Sequence, residues 1–170
     1  MTNELDQVSS GDSLLVIMAK APKPNEVKTR LVPFLTPEEA ANFYRSCLLD
    51  TLDKVLSLSR TVPALAYTPN GSKTEFLNLC SRDLILFPQS GRDLGERMLN
   101  CLRYGFTKGF RYVAVYGADI PHAPTKELLR GFEELRNDRA DLAVGPTEDG
   151  GYYYIATSSL YPELFRGIEW

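Results

Sequence analysis

Leu14-Leu15-Val16-Ile17-Met18-Ala19-Lys20-Ala21-Pro22-Lys23-Pro24-Asn25-Glu26-Val27-Lys28-Thr29-Arg30-Leu31 changes character partway along. It opens with an apolar run, Leu14 to Met18, of a length and composition that fit a buried strand. With no helical interval the chain then enters a loop that holds Lys20, Lys23, Lys28 and Arg30 against one acid, Glu26. A dense cationic loop at the C-terminal end of a first strand reads as an anion site, because ligands of parallel α/β sheets bind beyond the carboxyl ends of the strands.

Outward from that stretch, strand and helix patterns alternate. Residues 1–12 are polar and read as a frayed tail, without the basic and apolar regions of a signal peptide. Thr36-Pro37-Glu38-Glu39 is a helix start, with Thr36 as cap, Pro37 at the first helical position and Glu39 completing a capping box. Ala40, Tyr44, Cys47, Leu48, Leu52 and Val55 then recur at three- and four-residue steps and predict one buried helix face, to about Leu58. Val62 to Tyr67 is a second strand, closed by the turn Thr68-Pro69-Asn70-Gly71. A short helix is expected over Ser72 to Cys80 and a third strand over Leu84 to Phe87. Asp93 can cap the next helix, with Glu96 as its reciprocal partner. A fourth strand over Tyr112 to Tyr116, a helix over Pro124 to Arg136, and strands over Asp141 to Val144 and Tyr152 to Ala156 complete the pattern, followed by a short helix and a stub. Such alternation predicts a mostly parallel sheet with helices on both faces and the strand-to-helix loops on one edge.

The length of 170 residues suits one domain with a single core, and 44% hydrophobic with 24% charged residues is the balance of a globular protein rather than a disordered one. A net charge of −3 argues against a nucleic acid polymer, so the basic loop is a local feature suited to a small anion. Apolar runs are strand-sized, far short of the ~20 residues of a membrane span. Cys47, Cys80 and Cys101 are far apart and form no C-x-x-C pair, which predicts reduced core thiols and a cytoplasmic protein.

Four loops meet on the predicted edge: the basic loop, Gln89 to Asp93, Gly117 to Pro121, and Gly145 to Gly151. If strand order reverses between the first and fourth strands, the crevice opens between the basic loop and Asp119. Lysine is a point charge and arginine a two-pronged donor for phosphate. A carboxylate facing the same phosphates needs a divalent cation between them, and Mg²⁺ takes one or two carboxylates plus phosphate oxygens. Asp119 is thus the first metal candidate and Asp149 the second. Each feature also has a plain structural reading: a solvated charged loop, a turn-forming Asp119, Asp93 as a helix cap, and Asp149-Gly150 as a turn between strands. His122, the single histidine, reads as a turn residue after Pro121. The tyrosines Tyr152 to Tyr154 alternate across a strand, so at least one is expected to face the core and one the crevice, and they read chiefly as packing. The absence of G-x-x-x-x-G-K-[ST], G-x-G-x-x-G and G-x-S-x-G sets aside a P-loop, a dinucleotide site and a hydrolase elbow.

MAKAPKPNEVKTRL, QSGRDLGERM, YGADIP and GPTEDGGYYYI, in that order, resemble a bacterial family of uncharacterised GT-A-like proteins in the nucleotide-diphospho-sugar transferase superfamily. That family looks related to 2-phospho-lactate guanylyltransferase and, more distantly, to molybdenum cofactor guanylyltransferase. The resemblance implies a Rossmann-like three-layer α/β sandwich over residues 13–170. It implies that Lys28, Thr29 and Arg30, with Lys20 nearby, hold nucleotide phosphates. Gln89 and the segment Gly91 to Gly95, with Asp93 in it, would lie against the base. Asp119 would bind Mg²⁺ or Mn²⁺, and Asp149, Gly150 and Gly151 would face the acceptor or donor group. Two departures stand out. Where the family usually has glycine before V-K-T-R, Asn25 precedes Glu26, and asparagine is the next best residue at positive φ. Family members also generally continue past the position of Trp170, so a final strand and an acidic segment of the metal site are expected to be lacking.

The expected function is transfer of a nucleotidyl group from a nucleoside triphosphate, or of a sugar from a nucleotide sugar, to a phosphorylated or sugar acceptor. Lys28 and Asp149 are its catalytic candidates, and a homodimer is compatible with it. The alternative is an inactive nucleotide-binding or structural protein that keeps the GT-A fold.

Overall fold

A computed structural model describes residues 12–80 and 84–168. The strands are β1 (Ser13–Lys20), β2 (Thr61–Thr68), β3 (Ile85–Pro88), β4 (Tyr112–Gly117), β5 (Leu142–Pro146) and β6 (Tyr152–Thr157). The helices are α1 (Pro37–Leu56), α2 (Lys73–Leu79), α3 (Leu94–Thr107) and α4 (Thr125–Arg136). The helix expected near the C-terminal end is a single 3₁₀ turn, Pro162–Phe165. Of the tail expected over 1–12, only Asp12 lies within the described residues. Its carbonyl accepts from the N–H groups of Arg111 and Tyr112, and its carboxylate from Ser13 and Arg136.

The sheet order is β3-β2-β1-β4-β6-β5. β1 to β4 are parallel, and β6 runs antiparallel to both β4 and β5. β5 therefore points the same way as β1 to β4, and the turn after it opens on their C-terminal edge. Successive side chains of β1 face opposite ways. Leu15 and Ile17 join a core with Leu48, Leu52, Phe76, Leu128 and Phe132, under α1, α2 and α4. Leu14 and Val16 join Met98, Leu102, Val113 and Phe165, under α3 and the last 3₁₀ turn. Burial on both faces is why β1 reads as a continuous apolar run rather than an alternating one.

The helix ends follow local chemistry. Thr36 accepts from the Glu39 N–H at 3.2 Å while the Glu39 carboxylate takes the Thr36 N–H at 2.8 Å, which is the predicted capping box. Asp93 caps α3 through the Glu96 N–H at 2.8 Å. Glu96 does not return the bond to Asp93. Its carboxylate takes the N–H of Arg92 at 2.9 Å and the Arg92 guanidinium, a residue with both donors to offer. Those bonds, the side-chain one first, hold the Glu96 carboxyl at about 2. Gly105 lets α3 sit close to the sheet, since a Cβ there would lie 2.6 Å from Val113 and 3.0 Å from Leu14. Gly105→Ala is expected to cost ~1–3 kcal/mol by overpacking, read as a lower urea midpoint at unchanged slope.

Cys47 and Cys101 are buried, Cys80 is half-buried, and all three are free thiols. Among the described residues no helix is long and apolar enough to cross a membrane.

Candidate functional site

The chain leaves β1 toward β2 on one side, and β4 lies on the other, so the order reverses at β1/β4. At that point a cavity of about 490 Å³ opens on the C-terminal edge. This is within the usual ~300–1,000 Å³ of small-molecule sites.

Lys20, Lys28, Gln89 and Asp119 of the predicted set line this cavity. The basic loop and the loop after β4 meet directly: Lys28 Nζ donates to Asp119 Oδ2 at 2.6 Å across 91 residues of sequence. Two residues of the basic loop have positive φ, Asn25 at 62° and Lys28 at 49°. Asn25 thus takes the left-handed turn expected of it from the sequence. Lys28 occupies a left-handed conformation that costs an L-residue ~1–2 kcal/mol, as strained residues at functional sites often do. Lys20 donates to the Glu26 carbonyl at 2.8 Å and lies 3.7 Å from its carboxylate. Its own N–H is accepted by the Tyr44 hydroxyl at 3.0 Å. Burial pushes the Tyr44 phenol up to about 12, so this cavity-lining group is a neutral hydroxyl. Gln89 Nε2 donates to the carbonyls of Ala19 and Ala66, at 3.1 and 2.8 Å, which fixes its amide across the ends of β1 and β2.

Asp119 is positioned by its backbone. Thr51, fully buried on α1, donates to the Ala118 carbonyl at 3.1 Å. Tyr116 donates to the Ile120 carbonyl at 2.5 Å. Lys54 donates to the carbonyls of Pro121 and Ala123, and burial lowers its pKa from the ordinary lysine value. Thr51→Val keeps the shape and leaves the Ala118 carbonyl without this partner. It is expected to cost ~1–3 kcal/mol in thermal or urea unfolding.

The remaining candidates lie elsewhere. Thr29 and Arg30 sit in a 3₁₀ turn after Lys28, exposed and outside the cavity wall. Asp93 caps α3 and lines a second hollow, beside Phe165 and Arg166. Gly95 is buried in the first turn of α3. Gly91, at φ 137°, lies where a Cβ would be 2.7 Å from the Arg97 nitrogen, so it lets the loop wrap the start of α3. Asp149, Gly150 and Gly151 form the turn between β5 and β6. Asp149 Oδ1 accepts from the Thr147 hydroxyl at 2.5 Å and the Gly151 N–H at 3.2 Å, and these bonds, the hydroxyl first, hold its carboxyl below the usual range. The structure thus joins Lys28 with Asp119 and leaves Asp149 bonded within its own turn. Among the described residues no group of three or more His, Cys, Asp or Glu side chains is arranged to hold a metal. His122 is exposed, while Tyr154 is buried and donates to the Leu128 carbonyl at 3.1 Å.

Tyr152 to Tyr154, of which one was expected at the crevice, also line the cavity, and so does Arg97, which was not among the sequence candidates. Arg97 lies within the quoted QSGRDLGERM segment, but only the packing of α3 against the sheet shows that its fourth residue faces the crevice.

Sheet order, edge cavity and the meeting of a basic with an acidic loop define a protein of the nucleotide-diphospho-sugar transferase fold. The chain belongs to the bacterial family described as "Uncharacterized protein conserved in bacteria (DUF2064)", which matches residues 51–170. Among solved structures it is similar to a candidate nucleotide-diphospho-sugar transferase from Desulfovibrio desulfuricans. The two share 32% identity with a TM-score of 0.87, over 94% of this chain and 70% of that one. A 4-diphosphocytidyl-2C-methyl-D-erythritol synthase is 13% identical with a TM-score of 0.59, over 92% of this chain and 80% of that one. Rv0371c from Mycobacterium tuberculosis, in a manganese complex, is 14% identical with a TM-score of 0.52, over 93% and 77%. These last two are likenesses of fold alone. The chain matches no curated protein sequence.

Proposed function

We propose that the protein is a nucleotide-dependent transferase. In the nucleotidyl form of the reaction, an acceptor phosphate oxygen attacks the α-phosphorus of a nucleoside triphosphate, the bond to the bridging oxygen breaks, and pyrophosphate leaves. In the glycosyl form, an acceptor oxygen attacks the sugar carbon of a nucleotide sugar and a nucleoside diphosphate leaves. The observation that carries the reading is the Lys28–Asp119 pair in the β1/β4 cavity. The names of the similar structures, a nucleotide-diphospho-sugar transferase and a diphosphocytidyl synthase, support the same substrate kind.

In this reading Lys28 neutralises phosphate charge, with Lys20 behind it and Thr29 and Arg30 at the mouth. Gln89 and the segment Gly91 to Gly95 form the side nearest the base. Asp149, with Gly150 and Gly151, orients the acceptor. The donor set suits Mg²⁺ or Mn²⁺: a carboxylate is a hard oxygen ligand, and the Lys28 ammonium already stands where a cation would meet it. One carboxylate leaves the remaining ligands to water and phosphate oxygens, as is usual for Mg²⁺ with nucleotides. When bound, such an ion would add positive charge between Asp119 and the phosphates. Asp149 is the second carboxylate that could approach it.

A thermal-shift screen of ATP, GTP, CTP, UTP and common nucleotide sugars, each with and without Mg²⁺ or Mn²⁺, tests the reading. Cation-dependent stabilisation by one nucleotide class, with release of pyrophosphate or nucleoside diphosphate when an acceptor is added, is the expected result. Binding without release marks a nucleotide-binding protein instead. No stabilisation by any of them overturns the reading.

A further inference from the structure

Five charged side chains line the cavity: Lys20, Lys28 and Arg97, and the acids Glu26 and Asp119. The two lysines are matched to the two acids. Among the described residues Arg97 has no carboxylate partner, so the cavity's unbalanced positive charge sits on α3 and not in the basic loop. Asp93, the N-cap one turn before Arg97, spends Oδ1 on the helix cap. Arg97 does not serve α3 itself, since a cation in a first turn lies at the wrong end of the helix dipole. An anion in front of it would gain from both the side chain and the helix end.

The side chain is also held in place. Its Nε donates to the Gly91 carbonyl at 3.2 Å, and the neighbouring Asn100 Nδ2 donates to the Ser90 carbonyl at 2.9 Å, so the loop is tied to α3 at two successive residues. With Nε committed, the two terminal nitrogens are the donors left for a ligand. A guanidinium fixed in this way is pre-organised for a two-pronged grip on an oxyanion.

We infer that Arg97 is an oxyanion-binding residue of this cavity, taking a phosphate borne either by the nucleotide or by the acceptor. The inference rests on the cavity being the substrate site proposed above. Gly91 then has a definite part: its carbonyl aims Arg97, and its missing side chain allows the loop to come close enough to do so.

Calorimetric titrations of wild type, Arg97→Met and Arg97→Lys test this, with ATP, GTP, CTP, UTP and common nucleotide sugars plus Mg²⁺, and with orthophosphate before and after nucleotide saturation. Methionine keeps the unbranched stem, and lysine keeps the charge without the fork. The expected result is a fall in phosphate-ligand affinity of about 10- to 100-fold in Arg97→Met, the size of a lost charge-assisted bond, with partial recovery in Arg97→Lys and an unchanged melting temperature. A fall in nucleotide affinity assigns the phosphate to the nucleotide. A fall only in orthophosphate binding to the nucleotide-loaded protein assigns it to the acceptor. Orthophosphate binding lost in Arg97→Met, with no nucleotide bound by any of the proteins, removes the nucleotide reading and keeps Arg97. Unchanged affinities in both variants, or a wild type that binds none of these ligands, overturn the inference. Should Arg97→Met not fold, a full-affinity Arg97→Lys overturns it and a weakened one with wild-type melting supports it.

Discussion

Asp119→Asn is expected to abolish the dependence of nucleotide binding on divalent cations and to strengthen the binding measured without them. Asparagine keeps the size of the side chain and removes its charge. Lys28 Nζ, 2.6 Å from Oδ2, then loses its ionic partner and is free to meet phosphate. Stability should change little. The pair is partly exposed, with the Lys28 and Asp119 side chains 28% and 40% accessible, and such pairs contribute ~0–1 kcal/mol. That converts to a melting shift of at most ~4 °C for a domain of this size. Calorimetry with and without Mg²⁺, alongside a melting curve, measures both. A large drop in melting temperature would show that Asp119 is structural, and surviving cation dependence would mean the metal binds elsewhere.

Lys28→Met is expected to weaken nucleotide binding by ~1–3 kcal/mol whether or not a cation is present, the range for loss of a charge-assisted hydrogen bond. Methionine is the informative replacement because it retains the stem and a Cβ. The left-handed backbone at φ 49° therefore costs about the same before and after, and the change reports the ammonium. Glycine would relax the backbone and confuse the two effects. A loss below about 0.3 kcal/mol, well under that range, would count against the phosphate role. The two substitutions break one ion pair from opposite ends, yet their effects on cation-free binding should have opposite signs. A purely structural salt bridge would make both variants behave alike.

The layers were readable in the sequence because they depend on local signals. Thr36 and Glu39 announce the start of α1, and the spacing from Ala40 to Val55 marks its buried face. The meeting of Lys28 with Asp119 was readable for a different reason: the position of a crevice follows from strand order, and the order expected for β1 and β4 is the one found. Glu96 was harder. The pattern D-x-x-E announces a reciprocal cap, but Arg92 outcompetes Asp93 with a guanidinium that a capping rule does not weigh. Arg97 was missed because helix periodicity says which face is apolar, and not which polar residue beside that face overlooks a crevice. The aspartate-glycine turn at 149–150 carried two meanings in the sequence, turn and ligand. Its hydrogen bonds account for the first.

The loop bearing Asp119 is gripped by its carbonyls, from Thr51 and Lys54 as far as 67 and 69 residues upstream and from Tyr116 close by. None of these bonds depends on which side chains residues 120–123 carry. Substitutions at the rim of the cavity, Ile120 included, can therefore change its lining while the carboxylate keeps its address. The residues that cannot be substituted freely are the distant ones that no inspection of the loop alone would single out.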